Sequence, residues 1–281
     1  MLENTFCHIP GVSVRLEQML WEAGIHSWDC LRLTTGLPLS AQKLGVVKEH
    51  LELSAQHLAE SNPRYFFDHL PSRHHWRLFP AFRHNTAYLD IETTGLGGPE
   101  DHITTIALYD GKKVYHYVHG QNLGDFGDDI SRYDLLVTYN GKCFDVPFIK
   151  KNLGIPITGV HIDLMHVMRS LGITGGLKGC ERKLGLDRKE LEGVDGYFAV
   201  LLWQDYVKNG NKAALETLLA YNIEDVVNLE TLMVIGYNLK LRDTPFLDSH
   251  QLSRPGRPQV SFAADRDTIR RIRRHYYPHL L

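Results

Sequence analysis

Apolar positions along the chain fall into two rhythms. Between Ser40 and Asn62, the residues Leu44, Val47, Leu51, Ala55 and Leu58 recur three or four apart, the spacing of one helical face. Ser40 offers an N-cap and Asn62-Pro63 a stop, so an amphipathic packing helix is expected there. After residue 85 the rhythm shortens. Thr86–Thr93 and Ile103–Tyr109 are runs of β-branched, aromatic and apolar residues. The turn signal Asp110-Gly111 joins the second run to a third at 113–118, which predicts an antiparallel meander. A fourth strand is expected at 135–139, ended by Asn140-Gly141, and a fifth at 160–164, with a helix over 148–153 between them. Helical spacing returns over 196–208 and from 212 to about 239. Three strands followed by β-α-β-α predict an α/β domain with a mixed sheet flanked by helices.

This divides the chain into a small all-helical domain at 1–80, an alternating domain at 85–240 and a C-terminal extension at 241–281 without clear periodicity. Arg254-Pro255-Gly256-Arg257-Pro258 reads as an extended linker. With 43% apolar and 23% charged residues in 281, the usage is that of a globular protein. Lys and Arg number 31 against 33 Asp and Glu, a net charge of −2. The whole molecule is no polycation, so a nucleic acid would have to meet a local basic surface.

Cys7, Cys30, Cys143 and Cys180 are scattered, with no Cys-x-x-Cys pair. This argues against a disulfide framework and a Cys-rich zinc site, and for reduced, buried thiols. Cys7-His8 and the His26/Cys30 pair have no matched second pair at zinc spacing. The first ten residues include Glu3 and His8 without a long apolar run, unlike a signal peptide. No stretch approaches the ~20 apolar residues of a membrane span. A cytoplasmic protein is the expectation.

Three short patterns carry candidate chemistry. In Tyr88-Leu89-Asp90-Ile91-Glu92-Thr93-Thr94-Gly95, strand alternation puts Asp90 and Glu92 on one face. Paired carboxylates repel, and burial raises their pKa unless a cation lies between them; a solvated edge strand is the other reading. Asp145, in Asn140-Gly141-Lys142-Cys143-Phe144-Asp145, sits where a helix begins, which also suits a cap. Tyr221 and Asp225 are four apart on a helix and share a face, as a packing tyrosine and a solvated acid also would.

In this order, Asp-x-Glu, Asn-x-x-x-Phe-Asp and Tyr-x-x-x-Asp resemble the motifs of the DEDD 3′–5′ exonucleases over roughly residues 85–240. The tyrosine (DEDDy) subgroup, with its polymerase proofreading domains and ribonuclease D, is the nearer match. Ala220 stands five before Asp225 where the histidine subgroup has His. The segments His161-Ile162-Asp163-Leu164 and Gly176-Leu177-Lys178 look most like the YprB-like, ribonuclease H-like family. The resemblance implies a ribonuclease H-like fold and metal-dependent 3′–5′ hydrolysis of DNA or RNA phosphodiesters. Two Mg²⁺ or Mn²⁺ ions fit an all-oxygen donor set. It assigns Asp90, Glu92 and Asp225 to the first metal, with Asp90 bridging to a second that serves the leaving side. Asp145 would act through water, and Tyr221 would orient the attacking water.

Weaker candidates for substrate contact are Thr93, Thr94 and Leu96, on the loop that would meet the terminal nucleotide. Asn140, Phe144, as a stacking platform or a core residue, and Lys178, as a phosphate contact or a surface lysine, complete the set. Asp163 reads as a strand end or helix cap, and Glu224 as solvated. Ile9-Pro10-Gly11-Val12-Ser13, continuing to Gly24-Ile25, resembles a helix-hairpin-helix, though Ser13 and Glu17 replace small residues that admit phosphate. The arginines of 266–274 suggest a phosphate-binding arm or a solvated helix face. The alternative to an enzyme is a non-catalytic nucleic-acid-binding module on the same fold.

Overall fold

The computed structural model describes residues 1–35, 40–188, 191 and 193–276. The chain divides into two compact units, each discontinuous in sequence. Met1–Asn85 joins Ile235–Ser253 in the first, and Thr86–Val234 joins the described part of 254–281 in the second. The extension expected at 241–281 is therefore shared between them. Its expected lack of periodicity is corrected by a helix at Arg266–Tyr276 that buries Thr268, Ile269 and Ile272. Its arginines hid a narrow buried stripe of three residues. Residues 277–281 lie outside the described residues, as do 36–39 of the N-terminal region.

The first unit is helical. Val14–Glu22, Trp28–Leu33, Ala41–Ala59 and Pro63–His69 are capped by Ser13, Ser27, Ser40 and Asn62, whose side chains each accept a backbone N–H of the first turn. Val47 and Leu51 of the expected stripe are buried. In the hairpin-like segment, Glu17 is buried beside Arg77, whose Nη1 donates to Oε1 at 2.7 Å. Its Oε2 accepts the N–H groups of Phe6 and Cys7 at 2.6 and 3.0 Å. This acid organises the unit's interior.

The second unit carries a five-stranded mixed sheet in the order β3-β2-β1-β4-β5. The strands are β1 Thr86–Thr93, β2 Ile103–Tyr109, β3 Val114–Val118, β4 Leu135–Thr138 and β5 Val160–Asp163. The first three form the expected antiparallel meander, and β4 and β5 add in parallel. Ala87, Leu89 and Ile91 of β1 enter a core with Ile106, Leu108, Phe126 and Phe148. Alternation turns Asp90 and Glu92 the other way.

That other face meets the helix Lys212–Lys240. Every residue from 217 to 230 is buried, the polar Asn222, Glu224, Asp225, Asn228 and Glu230 among them, so this stretch is enclosed on all sides. After β4 the chain reverses sharply. Asn140 adopts a left-handed conformation at φ 65°, which Asn tolerates. A Cβ on Gly141 would lie 2.3 Å from Thr138 Oγ1. Asp163 Oδ1 and Oδ2 accept the N–H groups of Asn140 and Lys142 at 2.8 and 3.1 Å. The same carboxylate caps the helix Leu164–Ser170, the role expected of it. The fixed turn delivers Asp145 to the first position of the helix Asp145–Leu153.

Candidate metal centre

β1 is the central strand, and its parallel ladder with β4 ends at Tyr88 paired with Val137. Ile91, three residues on, gives its N–H to a side chain: Asp145 Oδ1 accepts it at 3.2 Å. A cap role for Asp145 thus gives way to a long-range bond that ties the helix start to β1 between Asp90 and Glu92. From the enclosed helix, Asn222 Nδ2 donates to Asp90 Oδ2 at 2.7 Å and to its carbonyl at 3.2 Å. Its Oδ1 accepts from Thr105 of β2 at 3.1 Å. One helical turn on, Asp225 completes a cluster: one carboxylate oxygen each of Asp90, Glu92 and Asp225 lie within 4.8 Å of one another.

The electrostatics follow from enclosing acids together. Burial, then Asp225, Asp145 and Glu92, push the Asp90 carboxyl well above the usual range, against the Asn222 bond. Burial and Asp225 do the same to Glu92, opposed by Lys178. Burial carries Asp145 to about 7. Asp225 rises to about 6, burial outweighing the pull of Arg188. All-oxygen donors whose negative charge Lys178 and Arg188 offset only in part suit a hard divalent cation, so the residues fit the metals the sequence motifs imply.

Tyr221 is buried, and its hydroxyl accepts from Lys178 Nζ at 2.5 Å. Burial and the neighbouring acids raise the phenol well above its ordinary value. Lys178 also donates to the Val194 carbonyl at 2.5 Å, and burial lowers its pKa. It is half-buried beside the cluster, which corrects the surface-lysine reading. It lines a cavity of about 450 Å³ together with Glu181, Arg182, Arg188, Gly193 and Asp195.

The remaining candidates divide. Thr93 Oγ1 donates to the Gly95 carbonyl at 2.6 Å, and Thr94 Oγ1 accepts the His102 N–H at 3.0 Å, so both shape the loop after β1. On that loop Leu96 is 94% exposed. Phe144 packs on the core and meets Phe148 at 5.5 Å between centroids. Asn140 serves the turn. Glu224 corrects its expected solvation: it is buried, ion-paired with Arg257 and bonded to Asn228 at 3.2 Å. The expectation of buried thiols is corrected at Cys143, which is exposed, and Cys30, which is half-buried; Cys7 and Cys180 are buried, and all four are free.

Sequence reasoning missed two residues. Asn222 sits next to a flagged tyrosine, and the signal was an amide inside an apolar helix. Arg188, in a polar loop, carried no signal. Its side chain is 8% exposed and pairs with Glu181 and Asp225.

The family model RNase_H_2, of the RNase_H superfamily, matches residues 87–237. The uncharacterized protein YprB of Bacillus subtilis strain 168 is 31% identical over 175 residues, covering 54% of this chain. The match spans only 42% of that protein's length. Among solved structures, the family B DNA polymerase of the hyperthermophilic archaeon Pyrobaculum calidifontis is similar at 20% identity. The likeness covers 56% of this chain and 24% of that one, with a TM-score of 0.42.

Proposed function

The chain belongs to the RNase_H superfamily, and on that premise we propose that it is a metal-dependent 3′–5′ exonuclease of the tyrosine (DEDDy) subgroup. Its substrate would be a DNA or RNA 3′ end, from which it releases nucleoside monophosphates. The observation that carries this reading is the cluster of Asp90, Glu92 and Asp225, converging from a strand and from a helix position 133 and 135 residues further along the sequence, with Asp145 bonded behind them.

Asp90, Glu92 and Asp225 would hold the first of two Mg²⁺ or Mn²⁺ ions, with Asp90 shared with the second and Asp145 acting through water. Divalent metal supplies Lewis acidity at the phosphate and lowers the pKa of water. The chain's own groups do the rest. The Tyr221 phenol stays protonated near neutral pH, since its pKa is raised, so it serves as a hydrogen-bond donor to the attacking water and not as its base. Lys178 fixes that phenol by donating to its oxygen, which leaves the phenolic hydrogen free to point toward the cluster. Leu96, exposed on the loop after β1, would wedge against a terminal base. The hairpin-like N-terminal segment remains a proposed accessory module, and the four free thiols suit a reducing cytoplasm.

Replacing Asp90 or Asp225 with Ala is the test. Both variants should keep the circular dichroism of the parent and lose at least ~10³-fold in kcat, the scale of removing a central electrostatic group. Full activity in both would sink the assignment.

A further inference from the structure

Arg188 is a buried cation in contact with the cluster that the function above does not use. Its Nε and Nη2 donate to Glu181 Oε2 and Oε1 at 2.5 and 2.8 Å, a two-point grip. Nη2 also ion-pairs with Asp225 Oδ1. Asn228 Nδ2 donates to the same Glu181 at 2.9 Å and to Glu224 at 3.2 Å, so the grip is braced from the long helix. Among the described residues, Nη1 is buried without a hydrogen-bond partner, a costly arrangement that calls for a reason. The guanidinium also lies 5.8 Å from the Tyr221 ring centre.

We propose that Arg188 is a resident counter-cation: it holds Asp225 in place before the divalent ion arrives, and the ion must displace or repel it to bind. This rests on the metal-dependent reading above. The physical case is charge. The buried Glu92 and Asp225 and the half-buried Asp90 repel one another without a cation, and a positive guanidinium on Asp225 relieves part of that. The same positive charge opposes a divalent ion sharing Asp225, with little water between to screen it. Glu181 keeps the arginine nearby after displacement, since its two-point contact does not involve Asp225. Arg188 is thus a positioning residue that preorganises the site and sets its metal affinity lower than the carboxylates alone would.

The test is Mn²⁺ binding, measured by calorimetry or electron paramagnetic resonance on the full chain without substrate. Arg188→Gln should bind Mn²⁺ at least about tenfold more tightly than the parent, and Mn²⁺ should raise its Tm by more. Arg188→Lys, which keeps the charge, should stay within about threefold of the parent. A merely structural arginine predicts the opposite, because loss of its contacts would disorder Asp225 and weaken binding. Equal or weaker binding by a folded Arg188→Gln, with the parent binding Mn²⁺, overturns the role of Arg188 alone. No Mn²⁺ binding by either protein overturns the metal-dependent reading itself, and this role with it. Should Arg188→Gln fail to fold, the Arg188 guanidinium resonance, assigned by its loss in Arg188→Lys, is followed by NMR as Mg²⁺ is added. Displacement predicts a shift that saturates with the metal, and an unmoved resonance overturns the proposal.

Discussion

At the scale of single residues, the site is a set of acids held where water cannot fully serve them. A carboxyl whose folded pKa lies above its unfolded value adds stability below the unfolded pKa and loses it as pH rises through the folded one. Asp145 is raised from 3.8 to about 7 and Asp225 from 3.8 to about 6, both by burial first. The metal-free protein should therefore lose stability as pH climbs from about 4 to about 7. Urea denaturation in chelator should give an unfolding free energy lower at pH 8 than at pH 5 by at least ~1 kcal/mol. Asp145→Asn should flatten that dependence, and a slope equal to the parent's would contradict the account. Tyr221→Phe should lower kcat by ~10²-fold with little change in KM, as loss of one positioned donor does. The convergence of Asp90, Glu92 and Asp225 was legible because motif order and spacing are sequence properties. Arg188 and Asn222 were not, since their meaning lies in contacts to Asp225 and Asp90 across 37 and 132 positions.

At the scale of elements, pattern predicted strands within a residue or two and recovered the meander from one turn signal. The helix bearing Tyr221 and Asp225 was legible as a helix, but its enclosure was not. The bland reading is a surface helix in which Tyr221 packs and Asp225 is solvated, yet 217–230 is buried throughout. Polar residues such as Asn222, Glu224 and Asn228 mask that burial, and each is satisfied by a bond from outside the helix or along it. The turn after β4 is the element on which Asp145 depends. Gly141→Ala would place a methyl group against Thr138 and should cost ~1–3 kcal/mol, the range for forced overpacking, while reducing activity. An unchanged melting temperature would show that the turn yields without cost. In the helical unit, Glu17 was read as a departure from phosphate-binding geometry. Its burial against Arg77, Phe6 and Cys7 gives the departure a structural cause. Glu17→Ala strands a buried arginine and should destabilise that unit by ~3–5 kcal/mol, read by urea unfolding.

At the scale of the whole molecule, sequence position misleads about membership. Residues 241–253 pack in the helical unit and 254–276 in the sheet unit; the linker pattern at Arg254-Pro255-Gly256-Arg257-Pro258 lies at the division, but no local pattern tells which unit each side joins. The last segment is fastened by Ile269 and Ile272 and by ion pairs of Arg271 with Asp205 and Arg257 with Glu224. Deleting 254–281 should lower the Tm of the protein by several degrees, consistent with losing two buried apolar anchors. The proposed activity is hydrolysis of nucleic acid from its 3′ end by the clustered acids with divalent metal. The most direct measurement incubates 5′-labelled single-stranded DNA and RNA with the protein in Mg²⁺ or Mn²⁺, beside chelator and Asp225→Ala controls. A ladder shortening stepwise from the 3′ end, absent from both controls, is the predicted result. Intact oligonucleotides under every metal, with the protein still bound to them, would contradict the account and identify a binding module that kept the fold.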